Sequence, residues 1–164
     1  MASILNVDKI RANGSTTDGL TIDSSGRVFT PNRPNFYAEG SASYVAYSSG
    51  DTLAYNSDNY GIQRNVGSHY STSTYQFTAP VAGLYFFHAA AYANAVVSSG
   101  LQLVWKNSGG TIQDKSLYYD ADTRGKQVTA TFQLAVGDTV EVVTEDAASY
   151  YLNAYGKFLG YLIG

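Results

Sequence analysis

The sequence contains no cysteine, which excludes a disulfide framework and any chemistry that depends on a thiolate. Charged residues make up only 14% of the 164 residues, and the formal net charge is −3. No basic stripe is available to neutralise phosphates, so nucleic acid is not an expected partner. No apolar run has the length needed to cross a bilayer, and the first residues lack the pattern of a signal peptide. We therefore expect neither membrane insertion nor a cleaved leader.

The residue patterns of common enzymes are also missing. The sequence has no phosphate-binding loop, no dinucleotide fingerprint and no nucleophile elbow. Only two histidines occur, and His88 shares a predicted strand face with Leu84 and Phe86. A core or interface histidine is favoured there over a catalytic base. An enzyme is not expected.

What the chain does contain is typical of an all-β protein. It has 16 Gly and 15 Tyr, together with many Ser and Thr. From Asn35 onward, short apolar runs alternate with polar turns at the spacing of an antiparallel sandwich, and we predict about eight to ten strands. The clearest alternation places Val128, Ala130, Phe132 and Leu134 inward.

The most hydrophobic segment, Leu84 to Ala93, follows a turn made by Pro80 and Gly83. A helix is the competing interpretation of its alanines, but the opening Leu-Tyr-Phe-Phe and the preceding turn favour a strand. Both faces of this strand are apolar, so it should be covered on both sides.

Residues 1–33 differ from the rest, and the stiff segment from Pro31 to Pro34 predicts a domain boundary before residues 34–164. A hairpin is predicted between Leu20 and Thr30, with its turn at Ser24-Ser25-Gly26. Its apolar content is too low to fold alone, so this arm either pairs with copies of itself or docks on another protein. The predicted attachment residues are Ile4, Leu5, Val7, Ile10, Leu20 and Ile22.

Four segments form an ordered pattern along the chain: Pro34-Asn35-Phe36, the turn and strand from Phe77 to Phe87, the stretch from Phe132 to Val140 with its Val-Gly-Asp turn, and the closing strand from Tyr155 to Ile163. In this order they resemble the globular domain of complement component one-q, a ten-strand jelly roll shared with the tumour necrosis factor ligands. The resemblance covers about residues 34–164. At the closing strand, Leu159 stands where that family has a small residue.

The arm resembles another group of proteins. Leu5-x-Val7-Asp8-x-Ile10, followed by Ser25-Gly26-Arg27-Val28, is similar to the attachment arm of short virion proteins of tailed bacteriophages, marine and cyanobacterial ones especially. In those proteins such an arm precedes the same kind of jelly-roll head.

The complement resemblance implies a homotrimer packed around a threefold axis, with the core strand and the last strand at the interface. Aromatic residues are also enriched at interfaces. Tyr85, Phe87, Tyr155 and Tyr161 are the predicted interface residues, because they lie on the opposite phase from Phe86, Phe132 and Phe158, which we assign to the core. Ordinary core or surface positions are the alternative for these tyrosines and Phe87.

Two loops are candidates for a ligand. Asp120 and Asp122 are the best pair of calcium ligands, because family members bind calcium in loops near the trimer apex; solvated turn aspartates are the alternative. Tyr118 and Tyr150 each belong to a tyrosine pair beside a polar loop and could stack on a sugar ring. Simple alternation would turn one member of each pair inward. No other cofactor is expected.

The sequence therefore predicts a non-enzymatic homotrimer on the exterior of a phage particle. The favoured role is capsid decoration or cement, with the arm docked on the shell and the head projecting. The runner-up is the tip of a tail or head fibre that binds a host surface glycan. A secreted ligand is the third class, and the missing signal peptide and collagenous stalk count against it.

Overall fold

The computed structural model describes residues 7–56, 64–96, 98–120 and 122–164. They form short antiparallel strands joined by turns, and the chain divides between Arg33 and Pro34 into two compact units. The division falls at the stiff segment that ends in Pro34, where the sequence predicts a boundary. Within the described ranges, no helix could cross a bilayer.

The arm is a three-stranded antiparallel sheet with β2 in the middle. Its strands are β1 (Lys9–Ile10), β2 (Leu20–Ile22) and β3 (Val28–Phe29). The predicted hairpin is confirmed as β2 and β3. The carboxylate of Asp23 closes its turn by accepting hydrogen bonds from the amides of Ser25 and Arg27, both at 2.9 Å. Hydrogen bonds from Arg27 also lower the pKa of Asp23.

The predicted attachment residues of the arm have different environments. Ile4 and Leu5 lie outside the described residues. Ile10 is exposed, as are Val28 and Phe29 on β3. Val7, Leu20 and Ile22 are half-buried. The arm thus presents apolar side chains on its surface, but their docking role stays a prediction.

The described part of the head, within residues 34–164, contains twelve strands. The first six are β4 (Asn35–Ala38), β5 (Val45–Tyr47), β6 (Arg64–Val66), β7 (Tyr70–Ser71), β8 (Gln76–Thr78) and β9 (Gly83–Ala93). The others are β10 (Ser99–Lys106), β11 (Ile112–Asp120), β12 (Gly125–Leu134), β13 (Thr139–Thr144), β14 (Ala148–Tyr151) and β15 (Lys157–Leu162).

Two antiparallel sheets face each other across one core, as predicted for a jelly roll. One sheet has the order β11-β10-β13-β8-β7. The larger sheet has the order β5-β14-β9-β15-β4-β6. It also includes β12, which pairs with the edge of β9 that β14 and β15 leave open. The long strand β9 is therefore central, because β12 flanks it on one side and β15 and β14 on the other.

The register of β9 corrects the predicted interface. Tyr85 and Phe87 point into the core and have no exposed surface, whereas Phe86 is half-buried on the opposite face. Directly opposed residues of paired strands point to the same side, and Phe132 lies opposite Tyr85. Since Phe132 is buried, as predicted, Tyr85 and Phe87 must be buried with it. Neither side chain can contact a neighbouring subunit.

Close packing at the closing strand depends on Gly160. A Cβ atom there would lie 2.5 Å from Cδ1 of Phe87 and 2.8 Å from Cε1 of Phe36. The ring of Phe87 therefore occupies the space that a side chain at residue 160 would need. Leu159, the departure from the family pattern, is half-buried on the outward side and leaves this contact intact.

The Val-Gly-Asp turn joins the two sheets through the buried side chain of Asp138. Its Oδ2 accepts hydrogen bonds from the indole Nε1 of Trp105 and the amide of Ala135, each at 2.9 Å. Its backbone carbonyl accepts a 2.8 Å bond from the amide of Ala79, in the turn before β9. Asp138 thus stabilises both the turn between β12 and β13 and the turn before β9.

Candidate functional site

The larger sheet has an apolar surface that points away from the core, which we call the outer face. It is formed by alternate residues of β9 and β15, and its members are Leu84, Phe86, His88, Leu159 and Tyr161. The rings of Phe86 and Tyr161 lie opposite each other in the ladder, with centroids 5.3 Å apart. The outer face is thus an organised aromatic and aliphatic surface, and Tyr161 remains 43% exposed.

Charged side chains are scarce around the outer face. The residues of β12 opposite Leu84, Phe86 and His88 are Gln133, Thr131 and Thr129. On the other side, β4 places Asn35 and Tyr37 opposite Tyr161 and Leu159. Depletion of charge with retention of aromatic residues is the composition of a protein interface core.

A second exposed surface is the edge where β11 and β12 come together. Among the described strands, β11 pairs only with β10 and β12 pairs only with β9. The Ser116 hydroxyl donates a 3.2 Å hydrogen bond to the carbonyl of Thr129, and Leu117 beside it is 51% exposed. A groove of about 370 Å³ runs between the strands. This edge differs in shape and composition from the outer face.

A row of tyrosines lies at the end of the larger sheet where β9 meets β14, and we call it the tyrosine row. Its members in order are Tyr44, Tyr151, Tyr155 and Tyr92. The successive ring centroids are 5.6, 5.9 and 5.4 Å apart. Arg124 continues the row with its guanidinium 5.7 Å from the ring centre of Tyr92.

Sequence reasoning missed this row because its members come from four separate places in the chain. The pairing of Tyr151 with Tyr92 across β14 and β9 brings two of them together, and β14 also pairs with β5, just after Tyr44. Tyr155 was predicted to be in the last strand and at a trimer interface. It lies in the loop before β15 rather than in the strand, and it is 66% exposed. Its place at a trimer interface stays a prediction.

The predicted glycan residues do not form a common platform. Tyr150 is completely buried, and its hydroxyl donates a 3.0 Å hydrogen bond to the side chain of Ser99. A sugar cannot reach it, so this part of the prediction is wrong. Tyr118 is half-buried, and its hydroxyl donates a 2.9 Å bond to Asp120. The alternation of β14 turns Tyr150 inward and leaves Tyr151 at the surface.

Asp120 braces a turn. Its carboxylate accepts hydrogen bonds from the amide of Asp122 and the hydroxyl of Thr123, both at 2.7 Å, and from Tyr118. These bonds lower its pKa to about 2. The next carboxylate upstream, that of Asp114, is six residues before Asp120 on β11, which corresponds to about 20 Å along a strand. It is therefore too far away to share a metal ion with Asp120. Among the described residues, no three histidines or carboxylates converge on one point that could hold a metal ion.

The arrangement of the strands defines the class of protein: an antiparallel jelly roll of the type shared by complement component one-q and the tumour necrosis factor ligands. The C1q domain family model matches residues 35–163. The chain belongs to the C1q domain family. No curated protein sequence matches the chain significantly.

Solved structures with the same fold include the globular domain of the zebrafish complement 1qA protein. It has a TM-score of 0.59 and 17% identity, over 80% of this chain and 98% of that one. The Eiger TNF of S. frugiperda has a TM-score of 0.58 and 12% identity, over 80% and 94%. Murine APRIL gives 0.55 and 15%, over 79% and 98%. At such low sequence identities, the structural similarity establishes only the fold of the head.

Proposed function

We propose that the protein is a non-enzymatic homotrimeric structural protein on the exterior of a phage particle. In this proposal the head forms the trimer, the arm docks on shell proteins, and the trimer decorates or cements the capsid. The observation that carries the trimer is the outer face, an apolar surface with little charge on a C1q domain. The similarity of the arm to those of short phage virion proteins supports the placement.

A closed ring of three subunits needs two different surfaces that fit each other on each subunit. The outer face is the first, centred on Phe86 and Tyr161. The edge of β11 and β12 is the second, because it exposes Leu117 and has no strand partner among the described residues. In this arrangement the edge of one subunit covers the outer face of the next.

The second candidate function is a fibre tip that binds a host surface glycan, and the tyrosine row favours it. The row lies at the Tyr92 end of β9, and Tyr155 within it is 66% exposed. Exposed aromatic rings next to polar groups are side chains that stack on sugar rings.

Electron cryomicroscopy of intact particles tests the placement. Trimers distributed over the shell, with arms between shell proteins, are the expected result. Density only at tail or fibre ends would support the second candidate instead. Particles that contain no copy of the chain would contradict a virion role altogether.

We predict that stability falls on acidification because of His88. Burial first, and the nearby Lys157 second, lower its pKa below the usual 6.5. The neighbouring β15 and β4 place Lys157 and Tyr37 around it, with Glu39 bonded to Tyr37. The folded state therefore favours the neutral ring. The contribution of the neutral His88 ring to folding stability is present above a pH of about 6.5 and is lost as the pH falls through the folded-state pKa.

Thermal unfolding of the wild type and of His88→Gln, followed by circular dichroism from neutral to mildly acidic pH, measures this effect. The wild type should lose stability on acidification, and His88→Gln should lose less because it cannot take up the proton. The same pH profile for both proteins would show that His88 has no such role.

A further inference from the structure

The tyrosine row has phenol groups that form no hydrogen bond within the described part of the chain. The hydroxyls of Tyr55, Tyr70 and Tyr85 each donate a hydrogen bond to a backbone carbonyl. By contrast, none of the four hydroxyls of the tyrosine row has a hydrogen bond to another described residue. The row therefore offers both ring faces and unused polar groups at its surface.

The loop that carries Tyr155 is built to hold this side chain outward. Leu152 and Asn153 are buried and anchor its start. Ala154 then adopts a φ of 55°, a left-handed conformation that costs a residue with a side chain of order 1 kcal/mol or more. At Gly156 a Cβ atom would lie 2.5 Å from Cα of Leu152, so the loop must close tightly there. An exposed tyrosine on a strained, anchored loop needs an explanation beyond folding.

A cleft of about 450 Å³ adjoins the row, and its lining carries positive charge. Its lining includes the rings of Tyr155 and Tyr92 and the polar side chains of Lys157, His88 and Gln127. No aspartate or glutamate is among the described residues that line it. Because the whole chain has a net charge of −3, a cleft lined by Lys157, with Arg124 against the ring of Tyr92, is a local exception.

The row is also separate from the predicted subunit contact. Tyr92 is six residues beyond Phe86 on β9, which corresponds to about 20 Å along the strand. Contact between subunits centred on Phe86 and Tyr161 would leave the tyrosine row accessible, and His88 is the residue that the outer face and the cleft share.

We propose that the tyrosine row and its cleft bind an oligosaccharide that bears a carboxylate. Rings of the row lie against the apolar faces of successive sugars, their hydroxyls bond to sugar hydroxyls, and Lys157 pairs with the carboxylate. The proposal rests on the second candidate function only for its biological setting, because the binding surface belongs to a single head. It places the ligand at Tyr44, Tyr92, Tyr151 and Tyr155 rather than at Tyr118 and Tyr150.

The intact chain tests this on an array of oligouronates, sialylated oligosaccharides and neutral oligosaccharides of the same linkages. Acidic probes should be retained over their neutral counterparts. The best probe is then titrated into variants. Tyr155→Ala and Tyr44→Ala should each weaken binding about tenfold, the effect of losing one aromatic contact. Lys157→Gln should remove the preference for the acidic probe.

Tyr75→Ala is the matched control, because Tyr75 lies in the turn before β8 and belongs neither to the row nor to either proposed subunit surface. It should bind like the wild type. Retention of no acidic oligosaccharide, or unchanged binding by Tyr155→Ala, would overturn the proposal. Sedimentation of each variant keeps this result separate from the assembly. If Tyr155→Ala dissociates the trimer, the row is a subunit contact and the carbohydrate proposal is wrong.

Discussion

Replacing Phe86 with lysine should convert the proposed trimer into folded monomers. Phe86 lies at the centre of the outer face with its ring 5.3 Å from that of Tyr161. In the trimer, the substitution would bury three ammonium groups without anionic partners, and each costs several kcal/mol. We expect the dissociation constant to rise at least about 1,000-fold, which corresponds to about 4 kcal/mol. The monomer should still fold, because a lysine at a half-buried, outward position extends its charge into water.

Sedimentation velocity at micromolar concentration measures this change, with circular dichroism as the check on folding. Val136→Lys is a suitable control, because Val136 is an exposed apolar residue in the turn between β12 and β13. The control should sediment as the wild type does. If Phe86→Lys also remains a trimer, the subunits meet through some surface other than the outer face.

Replacing Asp138 with alanine should cause the largest loss of stability among single changes at the turns. The substitution leaves the indole of Trp105 and the amide of Ala135 without their acceptor, which lies at 2.9 Å from each. Hydrogen bonds to a charged acceptor contribute more than neutral ones, and the half-buried indole of Trp105 would add a desolvation cost once it has no partner. We expect the free energy of unfolding to fall by about 3 kcal/mol.

Urea unfolding, followed by the fluorescence of Trp105, measures this loss directly, because Trp105 is the only tryptophan. Asp138→Asn should lose about half as much, since its amide oxygen still accepts a hydrogen bond. Asp122→Ala, at an exposed turn, is the control for removing a negative charge. All proteins are compared at one concentration, because the apparent stability of an oligomer depends on it. Equal stability of Asp138→Ala and Asp122→Ala would contradict the role of this turn.

The sequence predicts the sandwich and the β12 phase well because polar and apolar residues alternate there. It predicts wrongly which residues of β9 face the core. Both faces of that strand are apolar, so the alternation does not distinguish the inward face from the outward one. The register with β12 decides the phase: Tyr85 lies opposite the buried Phe132. That information was present in the sequence, in the alternation of the partner strand, and required knowing which strands pair.

Other differences have similar physical causes. The edge strand β11 was not predicted, because its largely exposed residues follow no apolar alternation. The alternation of Leu53 and Tyr55 with Thr52 and Ala54 is typical of a strand, but the segment has only an isolated bridge, at Thr52. Leu53 and Tyr55 are nevertheless fully buried, so their alternation indicated burial correctly. The tyrosine row depends on contacts between residues distant in sequence, which local patterns do not contain.

The most direct test of the central claim, a trimer formed through the head, is the native mass of the intact chain at micromolar concentration. One chain has a mass of 17.6 kDa. A single species at three times that mass is the predicted result. A species at the mass of one chain would contradict the trimer, and with it the assembly role proposed for the outer face.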